Sequence, residues 1–262
     1  MEKDLNGRVQ SVDRAMKLLE VLGDEARGQR LTDLARKTGL SLTTVHRLLT
    51  TLEQRHFVQF SQADSLWHIG IGAFTIGTSF SSDHNFAAAA LPILRHLRDQ
   101  TRETANIGIV DNDEMVLLEQ IQSREITRSI ATVGGRTPMT ASGMGKAVLA
   151  CYSPEDIRGV VRRRGMRPNT PSTITNFLVL EDELTRFHAD GYSVDNEEFR
   201  VGLRCVAAPV FDRRFEVVCA ISVSGTPDRI PDDRVRGLGA LVAKAAADLS
   251  RRMGYTRQAA IA

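Results

Sequence analysis

The chain has 262 residues, enough for one large domain or two of ordinary size. Its hydrophobic content of 42% and charged content of 25% are those of a globular protein, and a net charge of +2 excludes a globally basic nucleic-acid coat. Cys151, Cys205 and Cys219 are too few and too far apart for a disulfide framework or a zinc-ligand pattern. The opening MEKDLNGRVQ lacks the apolar core of a signal peptide, and no apolar run is long enough to span a bilayer. These features predict a cytoplasmic protein with no bound metal, cofactor or membrane partner.

In chain order, Val12, Ala15, Met16, Leu19 and Leu22 form one apolar stripe and predict a helix over Val9 to Leu22. A second helix is expected from about Thr32 to Lys37, ended by Gly39, because glycine tolerates the left-handed backbone just past a helix. Ser41 is a good N-cap for a third helix, Leu42 to Gln54. Val45, Leu48, Leu49 and Leu52 share one face of it. Thr43, Arg47, Thr50 and Gln54 fall on the other, with Thr44 and His46 at its margins. Hydroxyls and an arginine facing outward suit phosphates and base edges in a DNA major groove. Phe57 to Phe60 and Leu66 to Gly70 then read as a β-hairpin whose polar tip carries Gln62. Three helices followed by a hairpin make a winged helix-turn-helix, where the helices alone would also fit a surface αα-hairpin.

Ile71 to Ser82 is apolar without a clean period and reads as a connector. Asn85 to Gln100 is an alanine-rich helix with Pro92 inside it. It suits either a close helix–helix dimer contact or the core of a second domain. Strands are expected over Thr104 to Asp111, Met115 to Gln120 and Ile126 to Thr132, with a turn at Asn112 to Glu114. A loop, Val133 to Pro138, leads to Thr140–Lys146, which opens a helix to about Tyr152. Ser153 and Pro154 start the next helix, to Arg164, and Phe177 to Asp190 forms another, ended by Gly191. Strands follow over Tyr192 to Asp195, Leu203 to Phe211 and Glu216 to Ser224, and a last helix from Pro231 to about Met253. The expected class is α+β: a winged helix-turn-helix over residues 1–72, a connector and linker helix over 73–100, a mainly antiparallel, sensor-like α/β domain over 101–255, and a tail over 256–262.

The segment ASGMGKA is not a phosphate loop. Thr140 stands where the first glycine belongs, and Ala147 replaces the magnesium-binding hydroxyl. It is a glycine-rich helix start whose free N–H groups suit a carboxylate, or else glycines that serve close packing alone. Asp195, Cys205, Ser222 and Ser224 supply a carboxyl, a thiol and two hydroxyls on one side of a strand; they suit either a small polar pocket or a satisfied polar core. An enzyme using Cys205 or Ser142 would need an activating base or metal, and none of His46, His56, His68, His84, His96 and His188 sits in a ligand spacing. No catalytic residue is expected.

The whole chain resembles the IclR family of bacterial transcriptional regulators. The matching stretches are LTTVHRLL from Leu42, ASGMGKA from Ala141, GYSVDNEE from Gly191, GLRCVAAPV from Gly202 and ISVSG from Ile221. The resemblance implies a GAF-like effector domain and a homodimer or dimer of dimers on palindromic double-stranded DNA. Within the family, WHIGIG from Trp67 and the C-terminal motifs look most like the glyoxylate-responsive repressors of allantoin utilisation. Joined to the outward helix face and wing tip read above, that resemblance places Ser41, Thr43, Thr44, His46, Arg47, Thr50 and Gln62 on DNA. It places backbone N–H groups of Gly143 and Met144, with Asp195, Cys205, Ser222 and Ser224, around a small carboxylate such as glyoxylate or pyruvate. Met144 departs from the smaller residue of those repressors. The implied function is a repressor released by its ligand; the alternatives are a regulator responding to an aromatic acid, or a Cys/Ser-dependent enzyme.

Overall fold

The computed structural model describes residues 9–25, 27–83, 86–125 and 132–255, with backbone alone for 78–83 and 86–87. The chain divides into two compact units, residues 1–84 and 85–262.

The first unit holds helices α1 (Gln10–Gly23), α2 (Leu31–Thr38) and α3 (Leu42–Gln54), strands β1 (Val58–Ser61) and β2 (Leu66–Ile69), and helix α4 (Ile71–Asp83). Gly39 ends α2 at φ 72°, and the Ser41 hydroxyl caps α3 by accepting from the Thr44 N–H at 3.2 Å. β1 and β2 pair antiparallel, Val58 opposite Ile69, to make the wing. The wing is tied back to the helices by two backbone bonds between Gln29 and Trp67. Leu18, Leu22, Leu34, Val45, Leu49, Val58 and Trp67 form the core.

Two expectations change here. On α1 it is Leu18 and Leu22 that are buried, whereas Val12 and Met16 are 54% and 48% exposed. The face that meets Leu34 and Leu49 is therefore rotated from the stripe read by periodicity. Ile71 to Ser82 is no irregular connector but most of α4. Its apolar side chains lie all around the helix, so no 3.6-residue period marks it, and Ile71, Phe74 and Ile76 are exposed.

The second unit holds helix α5 (Phe86–Thr101), strands β3 (Thr104–Asp111), β4 (Glu114–Ile121) and β5 (Arg136–Pro138), helices α6 (Gly143–Leu149), α7 (Pro154–Arg164) and α8 (Phe177–Asp190), strands β6 (Ser193–Asn196), β7 (Arg204–Phe211) and β8 (Val217–Gly225), and helix α9 (Asp232–Arg252). The strands form one antiparallel sheet in the order β5-β4-β3-β8-β7-β6. Alternation along each strand sends side chains to two cores. Ile107, Val206, Ala208, Ile221 and Val223 pack on α5 and α9. Met115, Leu117, Cys205, Ala207 and Ala220 pack on α6, α7 and α8.

α5 runs through Pro92 as one helix and buries Ala90, Ile93, Leu94 and Leu97, so it is a core helix of this unit. The stretch read as a loop before α6 contains the three-residue strand β5, paired to the edge of β4; three residues are too few to show alternation. The expected strand Ile126 to Thr132 falls on residues 126–131, outside the described residues. No described helix is long and apolar enough to cross a membrane.

Candidate functional site

The outward face of α3 is built by its cap and its burial. With Val45 and Leu49 inside, Thr43, His46, Arg47 and Gln54 are exposed, and Thr44 and Thr50 are half-buried. Ser41 and Thr44 share a hydroxyl contact of 2.9 Å at the cap, and the Thr50 hydroxyl donates to the His46 carbonyl at 2.9 Å. These hydroxyls are thus partly spent on the helix itself, and Arg47 is the long charged side chain at the centre of the exposed face. Gln62 lies exposed at the wing tip, and Phe60, 41% exposed, packs against Trp67 with the rings tilted at 49° and their centroids 5.1 Å apart. A groove between α3 and the wing is lined by Arg30, Thr32, His46, Thr50 and Gln62. Arg30 and Thr32, at the start of α2, were not singled out from the sequence.

The second site lies between α6 and the sheet. Two neighbouring rows of residues cross the strands here. One runs Asp195, Cys205, Ser224, Thr104; the other runs Ser193, Ala207, Ser222, Asn106, Gln120. Both rows face α6. Their central members, with Ser142, Gly143 and Met144 of the α6 start and Phe199, Arg200 and Leu203 of the β6–β7 loop, line a cavity of about 220 Å³. Gly143, Met144, Asp195, Cys205, Ser222 and Ser224, read from the sequence as one set, all line it.

The approach of α6 explains its glycines. A Cβ on Gly143 would lie 2.8 Å from the Cys205 sulfur, and one on Gly145 would run into the Met139 backbone. The Ser142 hydroxyl caps the helix, accepting from the Gly145 N–H at 3.2 Å and donating to the Pro138 carbonyl at 2.8 Å. The Lys146 N–H closes the first turn on the Ser142 carbonyl. The N–H groups of Gly143 and Met144 are those that helix geometry leaves without an intrahelical acceptor. Met144 reaches the other way and packs toward Gly108, whose missing side chain makes room for it.

Sequence reasoning missed three polar groups. Asn106 is 4% exposed; its Nδ2 donates to Ser224 at 3.0 Å and to Ser222 at 3.2 Å. Gln120 Nε2 donates to Asn106 Oδ1 at 2.9 Å. Leu117 and Gln120 both line the cavity although three residues apart, because a bulge opposite Ile107 and Gly108 shifts the alternation. Strict period two hides such a pair. Lys146 is the third. It is wholly buried and pairs with Glu183 at 2.9 Å and with Glu198. It ties α6 to α8 and to the loop that follows β6; a single charge inside ASGMGKA was the available signal.

Burial sets the protonation of the site. It pushes the Asp195 carboxyl up to about 7, against the backbone N–H of Glu198 and the charge of Lys146, which favour the ionised form. Asp195 Oδ1 accepts from the Glu198 N–H at 2.8 Å and the Phe199 N–H at 3.3 Å. Burial, helped by Asp195, pushes the Cys205 thiol up to about 12. Burial raises Cys151 to about 11 and Cys219 to about 12. All three thiols are protonated at neutral pH, so none is the thiolate that nucleophilic catalysis needs. The cavity can hold an anion against backbone N–H groups and hydroxyls, with a carboxyl that is partly neutral.

Known proteins resemble the chain along nearly its whole length. Residues 11–61 match the IclR helix-turn-helix domain, and residues 78–251 match the bacterial transcriptional regulator IclR C-terminal domain. The chain is 41% identical over 253 residues to the transcriptional repressor IclR of Escherichia coli, covering 96% of this chain and 92% of that one. It is 35% identical over 250 residues to the HTH-type transcriptional repressor AllR of Klebsiella pneumoniae, covering 95% and 92%. Among solved structures, a transcriptional regulator from Rhodococcus sp. RHA1 aligns with a TM-score of 0.80 at 27% identity, covering 94% of this chain and 99% of that one. The relatives are regulators of transcription, and this chain is one too rather than an enzyme: it belongs to the IclR family of bacterial transcriptional regulators.

Proposed function

We propose that this regulator is a repressor that reads a palindromic operator through α3 and the wing, and that a small carboxylate in the cavity of the second unit controls its hold on DNA. On this reading Thr43, His46 and Arg47 meet base edges or phosphates in the major groove, Ser41, Thr44 and Thr50 support them, and Gln62 meets the backbone or minor groove. Arg47 is the residue able to grip a guanine with two bonds.

The observation that carries the effector reading is the single cavity of about 220 Å³ to which Asp195, Cys205, Ser222, Ser224, Gly143 and Met144 all contribute. N–H groups at a helix start favour a carboxylate, and the hydroxyls suit a second oxygen beside it. The volume is below the range of about 300–1,000 Å³ usual for drug-sized ligands, which favours a 2-oxo acid such as glyoxylate or pyruvate over an aromatic acid. The GAF-like second unit is then the sensor and the winged unit the output. The ligand acts by binding one arrangement of the winged modules better than another, releasing the operator. Assembly as a homodimer, or a dimer of dimers, is supported by the apolar Val12, Met16, Ile71, Phe74 and Ile76, which lie uncovered in the single chain. Weak local charge on the α3 face also calls for two copies on DNA.

A thermal-shift panel of small carboxylates and aromatic acids tests this reading. Glyoxylate or pyruvate should raise the Tm in proportion to the logarithm of its concentration. A shift with 4-hydroxybenzoate and none with the 2-oxo acids would replace the small-acid reading with the aromatic one.

A further inference from the structure

The cavity carries a polarity that its motif residues alone do not set. Asn106 stands on β3 opposite Ser222 of β8 and Gln120 of β4. Its amide orientation is imposed by Gln120, whose Nε2 donates to Asn106 Oδ1 at 2.9 Å. That leaves the Asn106 Nδ2 hydrogens facing the serines, at 3.0 Å from Ser224 and 3.2 Å from Ser222, both nearer than the Thr104 carbonyl at 3.4 Å. An amide nitrogen has no lone pair to give, so both serines must accept from it. Each hydroxyl then has its one hydrogen left to donate. Among the described residues, Ser222 has only the weakly accepting Cys205 sulfur beside it, and the Ser224 hydroxyl donates to nothing.

We propose that Asn106, held by Gln120, is a specificity-determining positioning residue: it turns the Ser222 and Ser224 hydroxyls into donors aimed at the cavity, so that the site takes a ligand with a carbonyl oxygen beside its carboxylate and rejects the matching alcohol. This rests on the carboxylate reading above and deepens it. A 2-oxo acid presents an acceptor to the two hydroxyls. A 2-hydroxy acid presents a donor as well, and its proton meets donors. A buried group left facing its own kind is expensive, which is how a few hydrogen bonds discriminate strongly.

The test is isothermal titration of the full chain with matched pairs: glyoxylate and glycolate, pyruvate and lactate. Within a pair the carboxylate is the same, so the ratio of Kd values reports the second oxygen alone. The wild type should favour the oxo member by about tenfold or more, the size of a single hydrogen-bond mismatch. Asn106→Asp replaces the donor with an acceptor, to which both serines donate, and should bring the ratio to near one or reverse it. Gln120→Glu, at a less buried position, puts an acceptor against Asn106 Oδ1 and should flip the amide, collapsing the ratio without altering the serines or Asn106 itself. Variants that bind both members and keep the wild-type ratio would overturn the proposal. So would a wild type that binds both members of a pair equally, which leaves the carboxylate reading standing. If no member of either pair binds the wild type, the carboxylate reading falls and this proposal with it.

Discussion

The α3 face and the cavity are built in opposite ways. The α3 face is assembled from residues 41–62, a single local stretch, and the side chains proposed to read DNA stand largely in solvent with few restraints. The cavity is assembled from residues 104–225, brought together by the register of five strands and the start of α6, and its groups are buried and bonded to one another. Where function stands outside the core, a substitution should change binding and leave stability alone. Where function is lodged in the core, it should change both. Four measurements press on this contrast, beginning with the largest effect.

Lys146→Ala should do the most harm. It leaves Glu198 and Glu183 without their buried partner, a change that costs about 3–5 kcal/mol. Trp67, the one tryptophan, lies in the core of the first unit, whereas circular dichroism sees both units. Urea unfolding followed both ways should therefore show a large loss in the second unit's transition and little change in tryptophan fluorescence. A shift of the fluorescence transition by the same amount would mean that the units do not fold as separately as the contrast assumes.

Gly143→Ala comes next. Its methyl would sit 2.8 Å from the Cys205 sulfur, and overpacking of this kind costs about 1–3 kcal/mol. Loss of the carboxylate-induced Tm shift should accompany it, and adding Cys205→Ala should recover part of both. An equally damaged double variant would show that the clash is not what Gly143 avoids.

Arg47→Ala should cost about 1–3 kcal/mol of operator affinity and relax the preference at one base pair. Its unfolding free energy should stay within about 0.5 kcal/mol of the wild type, as for an exposed side chain. A destabilised variant would blur the division drawn here.

Asp195 gives an effect whose sign is definite. Its folded carboxyl titrates at about 7, against an ordinary 3.8, so between those values the folded chain holds a proton that the unfolded chain has released. That contribution to stability is full below 3.8 and is lost as the pH climbs to about 7. Melting curves taken from pH 4.5 to 8 should fall more steeply for the wild type than for Asp195→Asn. Carboxylate affinity should weaken above pH 7, where ionised Asp195 faces the anion, by up to about tenfold per unit. Parallel curves for the two proteins would remove Asp195 from this role.

Local structure was the part most legible in the residues. Leu42–Gln54, Thr104–Asp111 and Phe177–Asp190 are helix, strand and helix with the bounds that capping and alternation indicate. α4 was illegible because an apolar helix with no dominant face leaves no period to find. In the cavity, Ser222 and Ser224 were visible because they alternate on one strand, and Gly143 because glycines cluster at a helix start. Asn106 and Gln120 were not, since only the pairing of β3 with β4 and β8 brings them there, and a bulge turns Gln120 inward. Lys146 looked like part of a failed phosphate loop until its two glutamate partners, from α8 and the β6–β7 loop, were in place. Long-range pairing is what one sequence carries least well.

The central claim is that the cavity governs the α3 face. It is tested most directly by selecting an operator from random duplex DNA with the full chain and measuring its affinity by fluorescence anisotropy, with and without saturating glyoxylate or pyruvate. The account predicts that whichever acid binds weakens operator affinity by about tenfold or more, a coupling of ordinary allosteric size, and that the effect disappears in Gly143→Ala. An operator affinity unchanged by an acid that calorimetry shows to be bound would contradict it.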